Sequence, residues 1–555
     1  MKNLNLKAAR IVEILVLLLA ILTSVNSQPS QQWAARYNNG STEQCNAMTV
    51  DASGNVYVTG SSRSGGAFTE DIATVKYNSS GTMLWTKRYV GAGFGEDHGY
   101  AMTVDAAGNV YVTGRTWINA GSNNDIVTIK YNSVGDSLWV KKYNGSRSNH
   151  DEAFAIFVDA PGNVYVTGSS QGTVGPNGIF DDLIVIKYNS SGSELWSFRY
   201  NGPSGGLDKG NSIAADISGN VYIVGTSWGG SSSGGSGFDM VYLKLNSAGV
   251  SQWVNRYSSA GNADDELLDM TIDAAGYLYA TGFEYSAGTN KNYWIMKYNS
   301  AGTIVWSRTY NGPDNDDDFA YSIAVDGTGN VVVTGKSDGG SSSFDIATVK
   351  YNSAGVLQWT NRFNGASNTI DEGKSVAVDS LGNVFIAGYS SNPTTASDFQ
   401  TIKYNSAGVQ QWEIKYTNSN ASGSSDMANS IFADNSGNVY VSGTSALDYA
   451  VVKYSPVTGI NNASGEIPNG FSLMQNFPNP FNPSTTIEFQ IPAYEQVSLK
   501  VYDVAGRIVA ELVDESLNAG TYRVDYNASN LSSGVYFYKL ITTSFFDTKR
   551  MILVK

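Results

Sequence analysis

Short apolar runs alternate with polar turn residues along most of this chain, a pattern typical of β-strands rather than helices. One ten-residue stretch, Asp105 to Gly114, reads Asp-Ala-Ala-Gly-Asn followed by Val-Tyr-Val-Thr-Gly. The first half is turn chemistry, because Asp bonds the backbone two residues on and Gly adopts positive φ without a steric penalty. The second half is rich in β-branched and aromatic residues and predicts a strand.

This stretch recurs with Asp first and Gly fourth and tenth in every copy. The copies begin at Asp51, Asp105, Asp159, Asp216, Asp273, Asp326, Asp379 and Asp434, so the repeat length is 53 to 57 residues. A fixed period of this size indicates a repeat architecture. One apolar run precedes each copy and two follow it, which predicts four antiparallel strands per repeat. Eight such repeats predict an all-β chain with an eight-bladed β-propeller.

The two ends of the repeat region predict how the propeller closes. A Trp in the fourth strand occurs eight times, at Trp33, Trp85, Trp139, Trp196, Trp253, Trp306, Trp359 and Trp412. Trp33 precedes the first repeat, and the last repeat stops after its third strand at Tyr454. The N-terminal segment is therefore predicted to supply the missing strand and leave no open edge. Asp448 would then pair with Arg36 across the closure.

Charge and cysteine content exclude several classes of partner. The chain has 555 residues, a formal net charge of −14 and one cysteine. The acidic balance argues against nucleic acid or an anionic membrane as partner. One cysteine allows no internal disulfide, and Cys45 is interpreted as a small apolar filler.

Residues 1–27 have the pattern of a secretory signal peptide. Lys2, Lys7 and Arg10 form a basic region, and the apolar run from Ile11 to Leu22 is too short to span a bilayer. A retained anchor is the alternative. Without it, no transmembrane span is expected in the mature chain.

Residues 28–458 resemble the bacterial β-propeller repeat family through the D-x-x-G-N-V-Y-V-T-G and K-Y-N-S-x-G-x-x-x-W patterns. This resemblance implies a fold but little about activity, because the family is defined by its scaffold. The spacing from Gly135 to Trp139 also matches part of the tryptophan-docking pattern of quinoprotein dehydrogenases. We interpret that match as shared packing.

Long, variable connections emerge on one face of the predicted propeller, which makes that face the expected place for function. An acid stands eight residues before each repeat's first Asp. These acids are Glu43, Asp97, Asp151, Asp208, Asp265, Asp318, Asp371 and Asp426. Each acid either caps its own loop, or the set forms a ring that binds cations or a basic ligand.

The sequence contains only weak indications of a metal or cofactor site. Asp314, Asp316 and Asp318 have a spacing that suits calcium, but the loop lacks the Gly and Glu of an EF-hand, so a solvated acidic loop is the alternative. His98 and His150 are too few for a three-His zinc site. No cofactor is expected, and no cofactor cage that breaks the repeat pattern is apparent.

Residues 459–470 have the composition of a flexible linker, and residues 471–555 predict a small, immunoglobulin-like β-sandwich. Its opening, Gln475 to Ser484, resembles the start of type A C-terminal sorting domains of the type IX secretion system. The residues that carry the motif are Asn476, Pro478, Asn479, Pro480, Asn482 and Pro483. The resemblance implies recognition by that secretion machinery and passage across the outer membrane of a Gram-negative bacterium. The protein would then be attached to the surface or released.

Three functions remain open from the sequence. The first is a secreted or surface-attached binding scaffold for a glycan, a protein or a surface polymer. The second is a propeller enzyme, either a polysaccharide hydrolase or lyase, or a quinoprotein-type oxidoreductase. A hydrolase would need two carboxylates about 5–10 Å apart. The third is a purely structural envelope protein.

Overall fold

The structure is a computed structural model. It describes residues 29–554 except 64–68, 93–94, 120–122, 146–149, 173–179, 204, 230–236, 260–262, 341–342, 393–395, 419–423, 456–460, 465–467 and 529–530. The predicted signal peptide, residues 1–27, lies outside this set. The described residues contain strands and no α-helix. They belong to two compact units, one spanning Gln31–Tyr454 and the other beginning at Ser455.

The first unit contains four-stranded antiparallel sheets, eight of them over the described residues. The chain enters through β1 (Ser30–Tyr37). Sheet 1 comprises β2 (Glu43–Val50), β3 (Val56–Arg63), β4 (Glu70–Tyr77) and β5 (Met83–Tyr89), and sheet 2 comprises β6 (His98–Val104), β7 (Val110–Asn119), β8 (Asn123–Tyr131) and β9 (Ser137–Tyr143). Sheet 3 comprises β10 (Asp151–Val158), β11 (Val164–Gln171), β12 (Asp181–Tyr188) and β13 (Glu194–Tyr200), and sheet 4 comprises β14 (Asp208–Ala215), β15 (Val221–Trp228), β16 (Phe238–Leu245) and β17 (Ser251–Tyr257).

The same arrangement continues to the end of the repeats. Sheet 5 comprises β18 (Glu266–Ile272), β19 (Leu278–Ser286), β20 (Asn290–Tyr298) and β21 (Ile304–Tyr310), and sheet 6 comprises β22 (Asp318–Val325), β23 (Val331–Asp338), β24 (Phe344–Tyr351) and β25 (Leu357–Phe363). Sheet 7 comprises β26 (Asp371–Val378), β27 (Val384–Asn392), β28 (Ala396–Tyr404) and β29 (Gln410–Tyr416). Sheet 8 comprises β30 (Asp426–Ala433), β31 (Val439–Ser445), β32 (Asp448–Ser455) and, beside β32, the N-terminal β1. The all-β fold and the propeller-like repetition of four-stranded sheets are therefore confirmed.

Each sheet has two unlike ends. Tight turns join the first strand to the second and, in sheets 1–7, the third to the fourth; we call this the turn end. The longer connections lie at the opposite, loop end. A β-bulge interrupts the pairing of the first and second strands at the same place in every sheet: in sheet 1, Cys45 faces Gly60 and Ala47 faces Thr59, so Asn46 is the extra residue.

A hydrogen-bonded cage explains the repeated Asp-x-x-Gly-Asn-Val-Tyr motif at the turn end. In sheet 1, Asp51 Oδ1 accepts from the backbone N–H groups of Ser53 and Asn55, and Oδ2 accepts from the Asn55 side chain (2.7 Å) and from Tyr57 OH (2.9 Å). Gly54 has φ +75°, a conformation that favours glycine. Sheets 6 and 7 have Val332 and Phe385 in place of the tyrosine.

A second contact joins neighbouring sheets at the turn end. In sheet 1, Lys76 Nζ and Trp85 Nε1 both donate to the carbonyl oxygen of Ser133 in sheet 2, over 3.0 and 3.3 Å. A Cβ on Gly135 in the same turn would lie 2.9 Å from the Trp85 ring. The described residues contain seven such latches. Their acceptors are Ser79, Ser133, Ser190, Ser247, Ser300, Ser353 and Ser406.

Sheet 8 contacts sheet 1 through one of these latches and through a second, different hydrogen bond. Trp33 Nε1 of β1 donates to Ser79 O of sheet 1 over 3.0 Å, and Asn429 Nδ2 of β30 donates to Cys45 O over 2.8 Å. Within sheet 8, Arg36 Nη2 lies 2.8 Å from Asp448 Oδ2, which is the ion pair expected from the sequence. Buried Cys45 lies in the apolar core between these two sheets.

The second unit contains two four-stranded sheets that share one apolar core. Its strands are β33 (Asn461–Ser464), β34 (Ser472–Leu473), β35 (Ser484–Ile491), β36 (Glu495–Tyr502), β37 (Ile508–Leu517), β38 (Gly520–Asn527), β39 (Gly534–Ile541) and β40 (Phe546–Leu553). Ile487, Phe489 and Val524 of one sheet pack with Val497, Leu499 and Leu540 of the other. The predicted linker differs from the structure, since β33 pairs with β38. Strand pairing uses backbone groups, which a polar composition does not remove.

Candidate binding site at the loop end of the sheets

The eight acids predicted from their spacing lie at the loop end, at or just before the start of each first strand. Glu43, Asp151, Asp208, Asp265, Asp318 and Asp371 are fully buried, and Asp97 and Asp426 are 1% exposed. Six of them accept a backbone N–H from six residues earlier, as Asp208 Oδ2 does from Gly202 over 2.7 Å. The other five of this kind are Asp97, Asp151, Asp265, Asp318 and Asp371.

This geometry favours the capping interpretation over the ligand-binding ring. Asp426 also accepts a backbone N–H, from Asn418 over 2.9 Å, and Glu43 Oε1 lies 3.4 Å from Ser62 Oγ. Burial raises the pKa of Asp208 to about 6, although the Gly202 N–H opposes the shift. Such carboxylates hold the connection between sheets in place, and the role of these eight residues in ligand binding stays a prediction.

The calcium candidate is spread over one loop. Asp318 is buried beneath the loop and caps Gly312, whereas Asp316 Oδ1 accepts from Asn290 Nδ2 over 2.6 Å. Asp314 is exposed. No group of three His, Cys, Asp or Glu side chains placed to hold a metal ion occurs in the described part of the chain. A calcium site at Asp314, Asp316 and Asp318 stays a prediction.

Two positions of the first strand do not follow the repeat. We call them the variable positions, and they are the second and fourth residues counted from each buried acid. The second residues are Gln44, His98, Glu152, Lys209, Glu266, Phe319, Glu372 and Met427, and the fourth are Asn46, Tyr100, Phe154, Asn211, Leu268, Tyr321, Lys374 and Asn429. The fourth residue is the bulged one. The loop end thus breaks the repeat pattern, a break that the sequence analysis missed.

What we call the lysine–aromatic cluster comprises the variable positions of sheets 6 and 7 and one residue of β23. Its members are Phe319, Tyr321, Glu372 and Lys374 and, from β23, Lys336. The rings of Phe319 and Tyr321 are nearly parallel, at 10° and 6.4 Å between centroids. Lys336 Nζ lies 5.1 Å from the Phe319 ring centroid, and Lys374 Nζ lies 4.3 Å from that of Tyr321. Cations at such distances interact favourably with the ring faces.

Glu372 joins the two lysines of this cluster. Its carboxylate lies 2.8 Å from Lys336 Nζ and 2.5 Å from Lys374 Nζ. Burial alone would raise the pKa of Glu372, but the two lysines outweigh it and lower the pKa. The Glu372 side chain is 8% exposed, against 18% and 29% for Lys336 and Lys374. The cluster therefore presents its positive charge to solvent and keeps its negative charge beneath.

At sheets 2 and 3 the variable positions and two neighbouring residues, Glu96 and Arg115, form a different cluster. Arg115 Nη1 of β7 lies 2.6 Å from Glu152 Oε1 of β10, and Glu96 lies 3.7 Å from Arg115 Nη2. His98 stacks on Tyr100, with 5.8 Å between centroids, and Tyr100 contacts Phe154. His150, by contrast, is exposed in the connection before β10. Acids outnumber cations in this cluster, opposite to sheets 6 and 7.

Two clefts lie at the turn end instead. One, of about 420 Å³, lies between sheets 1 and 2 and is lined by Asp51, Asp105 and Lys76 among others. The other, of about 340 Å³, lies between sheets 8 and 1. Because both are lined by residues of the repeated cages, they offer little that distinguishes one sheet from another.

In the second unit, the predicted sorting motif ties the opening segment to the last strand. Asn479 Oδ1 accepts from Ile552 N over 2.9 Å, and its Nδ2 donates to Arg550 O over 3.2 Å. Asn476 is buried, and its Nδ2 donates to Thr485 Oγ1 and to Pro478 O. Pro480 and Asn482 are exposed and Pro483 is half-buried, with its carbonyl accepting from Ala528 N.

Family models match both units. The model described as a secretion system C-terminal sorting domain matches residues 475–555, and the model described as a β-propeller repeat matches residues 32–66, 84–119, 198–231 and 358–393. The chain carries β-propeller repeats and a type IX secretion sorting domain. The sorting domain places this propeller protein outside the cell, secreted from a Gram-negative bacterium or attached to its outer surface. Over the described residues, no helix has the length and apolarity needed to span a bilayer.

More distant relatives add little. A WD repeat-containing protein of Acanthamoeba polyphaga mimivirus, named as uncharacterised, is 22% identical over 59% of this chain, which spans only 32% of that relative. Among solved structures, PorZ of Porphyromonas gingivalis, a surface component of the type IX secretion system, is 15% identical with a TM-score of 0.42, covering 93% of this chain and 75% of PorZ. The α-L-arabinanase of Penicillium chrysogenum is 10% identical with a TM-score of 0.34, over 64% and 92% of the two chains. Such scores carry no weight for function.

Proposed function

We propose that this protein is an exported binding scaffold, built as a closed eight-bladed propeller (residues 28–458) and carried to its destination by the sorting domain (residues 471–555). The latch from Trp33 to Ser79 and the bond from Asn429 to Cys45 support closure of sheet 8 onto sheet 1. A closed ring has no open sheet edge, which suits a protein that works outside the cell.

The ligand site is the lysine–aromatic cluster at the loop end, and the ligand is an acidic glycan or surface polymer. One observation carries this assignment: the variable positions depart from an otherwise strict repeat, and at sheets 6 and 7 they bring two aromatic rings and Lys374 together with Lys336 of β23. The whole chain has a net charge of −14, whereas this cluster has two lysines and one carboxylate. Charge complementarity of this kind gives specificity for an anionic partner.

A polymer-binding assay on the purified exported protein tests this proposal. We expect binding to acidic polysaccharides and not to their neutral counterparts, weakening as salt is raised. The double variant Lys336→Gln/Lys374→Gln should bind at least about tenfold more weakly. Lys209→Gln is the matched control, because Lys209 occupies a variable position of sheet 4 and pairs with Glu266 at 3.8 Å.

Each other outcome selects an alternative. Equal loss in the double variant and in Lys209→Gln would mean that overall charge, and not the cluster, determines binding. Turnover of the bound polymer would show that the protein is a propeller enzyme and not a binding scaffold. Failure to bind any polymer, with or without calcium, would favour a protein partner or a structural role in the envelope.

A further inference from the structure

Near its loop end, sheet 5 lacks a cation that every other sheet carries. In sheets 1, 3, 4, 6 and 8 an arginine of the fourth strand pairs with an aspartate of the third strand. Sheets 2 and 7 have Lys142 and Lys415 at the arginine position. In sheet 5, Thr309 stands in place of the cation and Asn292 in place of the aspartate.

A glutamate has been added beside Asn292. Glu284 of β19 pairs directly with Asn292 of β20, where the other sheets have a serine or, in sheet 2, a threonine. Residues directly opposite each other on neighbouring strands have Cβ atoms about 5 Å apart on the same face. The buried acid Asp265 accepts from the backbone N–H of Tyr285, next to Glu284, over 2.8 Å. Sheet 5 therefore has two carboxylates here and no cation at the arginine position to balance them.

Glu284 and Asn292 lie on the face of sheet 5 that packs against sheet 4. Tyr257 of β17 donates its hydroxyl to Glu284 Oε2 over 2.7 Å, and its ring stacks on Trp294 with 4.6 Å between centroids. Only 9% of Glu284 and 4% of Asn292 are exposed. Lys291 does not balance the charge on this face, because successive residues of a strand point to opposite faces.

Two buried polar atoms on this face have no hydrogen-bond partner in the described part of the chain. One is Asn292 Oδ1, although the amide nitrogen of the same side chain donates to Thr289 Oγ1 over 2.9 Å; the other is Trp294 Nε1. Burial raises the pKa of Glu284 and the charge of Asp265 raises it further, against the Tyr257 hydrogen bond. An unpaired amide oxygen beside an unbalanced carboxylate indicates a missing positive partner, since such groups are costly to bury alone.

We propose that sheet 5 binds a calcium ion through the Glu284 carboxylate and Asn292 Oδ1. The ion takes over the charge-balancing role of the cation that the fourth strand supplies in the other sheets. Carboxylate and amide oxygens are ligands that Ca²⁺ takes in proteins, and water completes its coordination. Such a water would also supply the acceptor that Trp294 Nε1 lacks. This site is separate from the acidic loop that contains Asp316, and it does not depend on polymer binding.

Calcium titration of the purified exported protein, stripped of metal with a chelator, tests the proposal. Glu284→Gln keeps the size of the side chain and removes its charge, so it should weaken Ca²⁺ binding at least about tenfold. Asn292→Ser removes the amide oxygen and should also weaken binding. Glu266→Gln is the matched control in the same sheet, because Glu266 lies 3.8 Å from Lys209 Nζ. Asp316→Asn is the control for the acidic loop.

Thermal unfolding with and without Ca²⁺ gives the second measurement. Saturating Ca²⁺ should raise the unfolding midpoint of the parent and of both controls, and should not raise that of Glu284→Gln. Unfolding of the metal-free variants near the parent temperature would show that they fold. Absence of Ca²⁺ binding by the parent, undiminished binding by Glu284→Gln and Asn292→Ser, or an equal loss in Asp316→Asn would each overturn the proposal.

Discussion

At the turn end, sheets 1 and 2 place the same side chains in the same hydrogen bonds, whereas at the variable positions of the loop end the corresponding residues differ. Asp51 and Asp105 each gather a backbone amide, an asparagine and a tyrosine. At the loop end, Gln44 in sheet 1 corresponds to His98 in sheet 2. The turn end thus explains how neighbouring sheets assemble, and the variable positions of the loop end are where the sheets differ from one another.

The strongest test of this contrast is the glycine in the latch turn. Gly192→Ala places a Cβ 2.8 Å from the Trp139 ring at φ +80°. We expect it to lower the free energy of unfolding by about 2–5 kcal/mol, from left-handed backbone strain and overpacking together. The measurement is chemical denaturation.

Gly276→Ala is the matched control for that variant. Gly276 has φ +81° but nothing within 4 Å of its Cβ position. Gly276→Ala should therefore lower the free energy of unfolding by only the backbone strain of about 1–2 kcal/mol. Equal losses in the two variants would show that the tryptophan contact contributes nothing.

The Asp cage gives the second prediction. Asp105→Ala removes the acceptor for Ala107 N, Asn109 and the buried Tyr111 hydroxyl. Leaving buried donors unpaired should cost about 2–4 kcal/mol in denaturation. Tyr111→Phe removes only one donor and should cost about 1 kcal/mol. A larger cost for Tyr111→Phe would contradict this account of the motif.

The repeated half of the molecule was predictable because each residue type there has one physical task. Three features recur at fixed spacing: the positive φ at Gly54, the four-donor cage at Asp51 and the latch at Trp85. Residues that repeat in the sequence therefore occupy equivalent places in successive sheets. The pairing of Arg36 with Asp448 followed from the same register.

The loop end was not predictable in the same way. The acids are constant in sequence, which drew attention to them, yet their constancy reflects capping of backbone amides such as Gly202 N. The variable positions lie between constant ones, and no two copies have the same pair of residues at them. Only the spatial meeting of Lys336 from β23 with Glu372 from β26 reveals a cluster. Alignment of the eight first strands on their acids is the signal that could have found it.

The buried acid Asp208 and the cage acid Asp105 predict pH dependences of opposite sign. Burial raises the pKa of Asp208 to about 6, so the folded protein binds this proton more tightly than the unfolded chain. Stability from this group is complete below the unfolded pKa, near 4, and is lost as the pH rises through about 6. As the pH rises from 4 to 7, the free energy of unfolding of Asp208→Asn should therefore rise by about 1–3 kcal/mol relative to that of the parent protein.

Asp105→Asn is the control of opposite sign. Burial would raise the pKa of Asp105, but donors from Asn109 and Tyr111 outweigh it and lower the pKa. The stability that Asp105 contributes is present above its unfolded pKa and is lost as the pH falls. The loss in free energy of unfolding caused by Asp105→Asn should therefore be smallest at low pH. Parallel pH profiles for the two variants, measured by denaturation, would contradict the assignment.

The smallest expected effect on stability is at the lysine–aromatic cluster. Lys374→Gln removes a half-exposed cation from Glu372, which keeps Lys336 at 2.8 Å, so the free energy of unfolding should change by less than about 1 kcal/mol. Acidic-polymer binding by the same variant should nevertheless weaken measurably, because Lys374 carries the more exposed of the two charges. A variant that loses stability and keeps binding would show that the loop end, like the turn end, serves assembly of the sheets.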